Sequence, residues 1–341
     1  MSSNQGAWLD GKDKKLRVDS SEMPKAGADQ IVVKNHAVAV NPVDWKIQDS
    51  GMYIQKWPMI LGCDVAGEVT EVGDNVKRFK KGDRVAGHAV SLASGASEDG
   101  GFQLYSRITA GKAAIIPSKI SYAAGSVLPL AIDTATVGLY SSSSEGKGLG
   151  LPMPSLNPKP AGKTIVVWGG SSSVGALATQ LAVASGAKVI ATASSHNFDF
   201  CMSNGATDVV DYKSSSVVED VVKAVKSAGG DFVGTYDAIS LPEQSLKHTV
   251  PITDKLGGGV LSIVLQAPEN PPSSVKVAHV FGINEMTHPI WENYVTQALK
   301  DGKLKAVPEP LVIGKGLESV QKGLDKNKEG VSAKKVVIEL S

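Results

Sequence analysis

The stretch from Thr164 to Gly175, Thr-Ile-Val-Val-Trp-Gly-Gly-Ser-Ser-Ser-Val-Gly, constrains the fold of this 341-residue chain more than any other. An apolar strand runs into a tight loop of small residues and then into a helix, predicted over Val174 to Ser185 and stopped by Gly186. A second apolar run, Lys188 to Ser194, completes a strand–helix–strand unit of about 30 residues. Small residues at such a junction let a pyrophosphate approach the helix N-terminus, whose partial positive charge favours an anion. Gly170 and Gly175 match the ends of the G-x-G-x-x-G fingerprint, with Ser172 at its middle glycine. Gly170, Ser171, Ser172, Ser173, Val174 and Gly175 are therefore the candidate dinucleotide cradle, although the loop alone also suits an ordinary strand-to-helix turn.

After the second strand, a cofactor without a 2′-phosphate usually meets Asp or Glu. Here the chain reads Ser194-Ser-His-Asn197. The hydroxyl of Ser194, the imidazole of His196 and the amide of Asn197 can donate to a phosphate without repelling it, which points to NADPH rather than NADH.

Composition removes several classes of function. With 35 basic and 34 acidic residues, and Arg only at 17, 78, 84 and 107, no long-range field gathers nucleic acid or anionic lipid. The N-terminus lacks an apolar signal core, and no window approaches ~18 uninterrupted apolar residues. The cysteines, Cys63 and Cys201, cannot make a metal quartet, and a reducing cytoplasm is the expected compartment.

The chain divides by texture. Runs rich in Val and Ala at 31–40, 67–72, 83–89 and 102–108, broken by Gly-Asp, Gly-Gly and Asn-Pro, predict a β-rich lobe. From Ser121 onward helix and strand alternate, with strands near 164–168, 188–193, 208–210, 232–237 and 259–264, the pattern of a doubly wound parallel sheet. Between them, 141–162 is so rich in Ser, Gly and Pro that it is expected to be a mobile insertion.

Asn41-Pro-Val-Asp-Trp-Lys46, Leu61-Gly-Cys-Asp-Val-Ala-Gly-Glu-Val69, Gly73-Asp-Asn-Val76 and Lys81-Gly-Asp-Arg-Val85 resemble the medium-chain dehydrogenase/reductase superfamily over almost the whole chain. Together with Leu128-Pro-Leu130, Thr134 and the Gly-Gly-Ser-Ser-Ser-Val-Gly loop, they look most like its zinc-independent quinone reductases and fungal-type, trans-acting enoyl reductases. The resemblance implies an α/β chain made of a GroES-like β-barrel domain, 1–125 with 296–341, and a Rossmann domain, 126–295. Val336 to Leu340 is the implied closing strand of the barrel.

By the same resemblance, the catalytic zinc ligands of metal-dependent relatives would fall at Asn41, Cys63 and Leu130. Asn is a poor zinc ligand and Leu is none, so no metal is expected. Hydride added to a conjugated C=C bond leaves charge on the carbonyl oxygen, and a nearby donor must stabilise or protonate the enolate. Lys46, closing the Asn-Pro-Val-Asp-x-Lys motif, and Tyr53, in Gly51-Met-Tyr53, are the alternative donors. The resemblance puts Asn41 at the cofactor or in support of the local backbone. It puts Thr134 and Val280 to Gly282, including Phe281, near the nicotinamide, and Tyr212 beside the adenine. Lys334 and Lys335, before the last strand, resemble a Lys near the cofactor phosphates, with surface charge as the preferred reading.

The expected activity is reduction of an α,β-unsaturated carbonyl compound by NADPH. The alternatives are a quinone reductase, a metal-free aldehyde reductase, and a non-catalytic NADPH-binding accessory or sensor protein. A small-molecule substrate is expected without nucleic acid or membrane, in a monomer or homodimer, with a biosynthetic synthase as a conceivable partner.

Overall fold

The structure, a computed structural model, describes residues 3–340. The chain forms two compact units, one built from the residues up to Leu130 and from Trp291 onward, the other from Ala131–Ile290. These boundaries lie five residues from the sequence expectation at each crossing, and two contacts explain why. Leu130 donates its N–H to Asp64 Oδ1 of the first unit at 2.6 Å. Trp291 is fully buried, and its carbonyl accepts from the Arg78 guanidinium at 3.4 Å.

The first unit is built on a seven-stranded sheet. Its main path runs Glu309–Lys315, Lys334–Glu339, Gln30–Ala39, Asp64–Val72, Arg84–His88 and Ala113–Ile115, with Tyr105–Thr109 paired to Gln30–Ala39. The expected closing strand is present as Lys334–Glu339 and pairs antiparallel with Gln30–Ala39. Ile31, Val33, Val38, Val65, Val85, Phe102, Ile108, Val336 and Ile338 share one apolar core. Each such side chain removed from water contributes roughly 1.5–3 kcal/mol. A small sheet of Arg17–Ser21, Asn4–Leu9 and Met59–Ile60 completes the unit.

In the second unit all six strands run parallel, in the order Asp208–Asp211, Lys188–Ala193, Lys163–Trp168, Asp231–Asp237, Gly259–Ile263 and Val275–His279. Numbered along the chain, that order is 3-2-1-4-5-6, the doubly wound arrangement that binds dinucleotides where the strand order reverses. Lys163–Trp168 stands at the reversal, so the loop after it lies at the place where this fold takes its ligand.

The segment 141–162 contains no helix or strand, but it is not loose. Leu149 and Leu151 are buried, and their N–H groups donate to Gly138 and Leu139 at 2.8 and 2.9 Å. Further on, Ser155 and Ala161 donate to the Ala184 and Gly186 carbonyls at 2.8 and 2.9 Å. The segment expected to be a mobile insertion is thus packed against the rest of its unit. Composition registered the Ser and Gly of this segment, whereas two buried leucines and backbone bonds to Gly138, Leu139, Ala184 and Gly186 hold it down. The run Tyr122–Tyr140 is long and apolar enough to cross a membrane by length and composition alone, and 78% of its apolar 18-residue window is buried inside the protein.

Candidate functional site

The strand Lys163–Trp168 ends in Gly169, whose φ of +79° lets the backbone turn sharply into the loop. This glycine, missed in the sequence because Gly170 fitted the fingerprint, makes the turn. The N–H of Gly169 donates to Thr192 Oγ1 at 3.1 Å, and that of Gly170 to the Thr192 carbonyl at 2.8 Å, tying the loop to the neighbouring strand. The helix Ser173–Ala184 begins at Ser172, whose Oγ accepts from the Gly175 N–H at 3.0 Å. A cap of this kind is worth about 1 kcal/mol.

A β carbon at Gly175 would lie 2.2 Å from the Gly169 carbonyl oxygen, so the helix start and the turn can meet only around glycine. The N–H groups of Ser173 and Val174 precede the first turn of the intrahelical ladder, and the buried Ser173 hydroxyl oxygen has no hydrogen-bond partner. These features fit the diphosphate of a nicotinamide dinucleotide: a close-packed turn, a capped helix start and a polar atom awaiting a partner. The six cradle residues expected from the sequence are thus brought together.

Beside the loop stand the residues expected at the ribose phosphate. Asn197 Nδ2 donates to Ser171 Oγ at 3.3 Å and to Ser194 Oγ at 3.4 Å, and Ser194 Oγ lies 3.3 Å from His196 Nε2. Ser194 and Asn197 are buried and His196 is exposed, so the group has a fixed base and an open rim. Tyr212 follows the strand Asp208–Asp211 and donates its N–H to the Ala193 carbonyl at 3.3 Å, which sets it next to Ser194. The residue is 41% exposed, which leaves its ring open to stack on a planar ligand.

The structure also joins Thr134 with the segment after the last parallel strand. A β carbon at Gly282 would lie 3.2 Å from both the N and the Oγ1 of Thr134. The Val280 N–H donates to the Ile263 carbonyl at 2.9 Å, and Phe281 stands out, 51% exposed. Tyr236, fully buried, donates its hydroxyl to the Thr134 carbonyl at 2.8 Å and holds this turn of helix in place.

In the first unit, Asn41 precedes the helix Pro42–Ser50, with Pro42 at its first position. The Asn41 N–H donates to Asp44 Oδ2 at 2.7 Å. Its side chain is 2% exposed and committed at both ends, Nδ2 to Asp64 Oδ2 at 2.7 Å and Oδ1 to Lys335 Nζ at 2.5 Å. Asn41 therefore supports the helix, the second of the two places expected for it. Lys335 requires a correction. It is not surface charge but 3% exposed, its ammonium 2.9 Å from Asp64 Oδ2. Lys334, one residue earlier on the strand, points the other way and meets Glu309 at the surface.

Burial pushes the carboxyl of Asp44 up to about 7, helped by nearby Asp64, and pushes the thiol of Cys63 well above its ordinary value. A zinc ion does not fit these residues: Leu130 brings only its backbone N–H, bound to Asp64 Oδ1 at 2.6 Å, and an ammonium already occupies the side of Asp64 that faces Asn41. Among the described residues no group of three or more His, Cys, Asp or Glu side chains is placed to hold a metal ion.

Lys46 lies on the helix Pro42–Ser50 with its ammonium 5.5 Å from the centroid of the Trp45 ring, and burial lowers its pKa. Tyr53 stands just past the helix end at Gly51, with a φ of +67° and 59% exposure. The two alternative donors are thus presented by one short stretch of chain.

Residues 27–118 match the alcohol dehydrogenase GroES-like domain family and residues 173–288 the zinc-binding dehydrogenase family. The chain is 46% identical over 349 residues to a protein named dehydrogenase orsE from Emericella nidulans, covering 100% of each. It is 39% identical to trans-enoyl reductase himH from Aspergillus japonicus, over 99% of this chain and 98% of that one. Its fold is similar to the crystal structure of an alcohol dehydrogenase superfamily protein from Novosphingobium aromaticivorans, with a TM-score of 0.79 at 22% identity, covering 99% of this chain and 100% of the other. A GroES-like sheet unit, a 3-2-1-4-5-6 parallel sheet and matches along the full length lead to one assignment: the chain belongs to the medium-chain dehydrogenase/reductase superfamily, in its enoyl reductase and quinone reductase-like subgroup, and is an oxidoreductase of the NAD(P)-using kind.

Proposed function

We propose that the chain reduces a C=C bond conjugated to a carbonyl group, using NADPH and no metal. The observation that carries this reading is the buried Lys335–Asp64–Asn41 network, which stands among the positions where metal-dependent relatives would bind their ion. With no Lewis acid to polarise an alcohol or aldehyde, the chemistry that suits the site places charge on an oxygen that hydrogen-bond donors can stabilise. The relative named as a trans-enoyl reductase supports the same choice. The absence of a carboxylate among Ser171, Ser194, His196 and Asn197 supports NADPH.

When bound, the nicotinamide supplies a hydride for the β carbon of the substrate. The protein's own residues then handle the proton. The enolate left behind accepts one proton at the α carbon, which balances the two-electron reduction. Lys46, with a pKa lowered by burial, is the donor that this site offers most readily, and Tyr53 is its alternative. Thr134 and the backbone around Gly282 orient the amide end of the cofactor, while Ser171, Ser194, His196 and Asn197 hold the 2′-phosphate end.

Steady-state NADPH oxidation with an α,β-unsaturated ketone, a quinone and an aldehyde, each with and without a chelator, tests the reading. Turnover of the enone, indifferent to chelator, is expected. Turnover of the aldehyde alone, abolished by chelator, would overturn it.

A further inference from the structure

The scheme above leaves the ammonium of Lys335 without a task. A lysine that is 3% exposed is rare, and this one is neutralised by a fully buried carboxylate, Asp64. Asn41 closes a triangle with the pair, since its Oδ1 accepts from the ammonium and its Nδ2 donates to Asp64. Those two bonds also leave only one orientation for the Asn41 amide. The second oxygen of Asp64 takes the Leu130 N–H at the start of the helix Pro129–Tyr140. One cation thereby gathers the strand Lys334–Glu339, the strand Asp64–Val72 and the first residues of two helices.

We infer that Lys335 is a built-in cation standing in for a metal ion, and a positioning residue that acts through Asn41 on the helix that carries Lys46 and leads into Tyr53. The inference rests on the reading of this chain as a metal-free reductase. Two cations cannot share one buried carboxylate oxygen without strong repulsion, so the ammonium bars a divalent ion from Asp64. The clamped Asn41 amide fixes where the helix begins, and with it the direction in which the helix presents Lys46 nearly a turn and a half later. A displacement of that start is carried directly to the proton donor.

Two variants and one metal analysis test this. Lys335→Met keeps an unbranched apolar stem and leaves Asp64 buried without a counter-charge, so the Tm should fall. The double variant Lys335→Met/Asp64→Asn removes both charges and should regain most of that loss. In both variants kcat should fall on the order of a hundredfold with NADPH affinity little changed, because the clamp on Asn41 is gone. Wild-type protein exposed to zinc and desalted should hold far less than one equivalent. Should the single variant fail to fold, the Tm and kcat of the double variant decide. Equal Tm in single and double variants, recovery of kcat together with Tm, or one tightly held zinc in the wild type would each overturn the inference. Tm and metal content need no substrate, so failure of enone reduction would sink the functional reading and leave these two measurements standing.

Discussion

Gly175 stands so near Gly169 that a β carbon on it would lie 2.2 Å from the Gly169 carbonyl oxygen. Gly175→Ala should therefore force the turn apart and weaken NADPH binding by roughly tenfold or more, the equivalent of about 1.4 kcal/mol. Fluorescence titration with NADPH reads the affinity, and an unaltered circular dichroism spectrum would assign the loss to the loop. Undiminished affinity would mean that the cofactor does not rest here.

The choice between NADPH and NADH is carried by Ser194, which contacts both His196 and Asn197. Ser194→Asp places a carboxylate where the 2′-phosphate is proposed to lie. The ratio of kcat/KM for NADPH over NADH should fall by roughly a hundredfold, about 2.7 kcal/mol. An unchanged ratio would remove this cluster from cofactor recognition.

Lys46 donates a proton only while it is protonated, so activity should hold at lower pH and decline as pH rises through its pKa. Because burial lowers that pKa, the alkaline limb of kcat should fall below the ordinary 10.5. Lys46→Met should lose the limb and about 10²- to 10⁴-fold in kcat, with NADPH affinity retained. If Tyr53→Phe produces that pattern and Lys46→Met does not, the donor is Tyr53.

Asp44 makes stability depend on pH in the opposite sense from most acids. Its folded-state carboxyl titrates near 7, above the ordinary 3.8, so the protonated form is the one that folding favours. The contribution is complete below the unfolded value and is lost as pH rises through 7. Asp44→Asn, which cannot ionise but still accepts from the Asn41 N–H, should flatten stability across that window, where the wild type loses as much as about 4 kcal/mol. Urea midpoints from pH 4 to 8 provide the measurement, and parallel curves would refute the assignment.

Leu149 anchors the segment 141–162 and is 1% exposed. Leu149→Ala should cost about 2–4 kcal/mol in chemical denaturation and speed proteolysis between 141 and 162. A cost below about 0.5 kcal/mol, the size of an ordinary surface change, would show that the segment is held by its backbone bonds alone.

The parallel sheet was legible because its central strands are unbroken apolar runs between helices, and Lys188–Ala193 appears with the bounds read from sequence. Asn4–Leu9 and Arg17–Ser21 were not, since their polar faces lack an alternating apolar pattern. The cradle of Ser172 and Gly175 followed from local backbone needs, which sequence encodes directly. Lys335 followed from nothing local. Two lysines before a strand resemble a solvated edge, and only the strand's period of two, with Lys334 outward and Lys335 inward, offered a signal. Its partners lie some 270 and 294 positions earlier in the chain, a separation that no window of sequence spans.

That separation bears on how the polypeptide is made. The carboxylate of Asp64 and the amide of Asn41 leave the ribosome well before Lys335 does. The parallel-sheet unit, continuous from Ala131 to Ile290, can assemble during synthesis, but the other must wait for its final strand. A chain cut short before Lys335 would strand a bare negative charge in a closing interior.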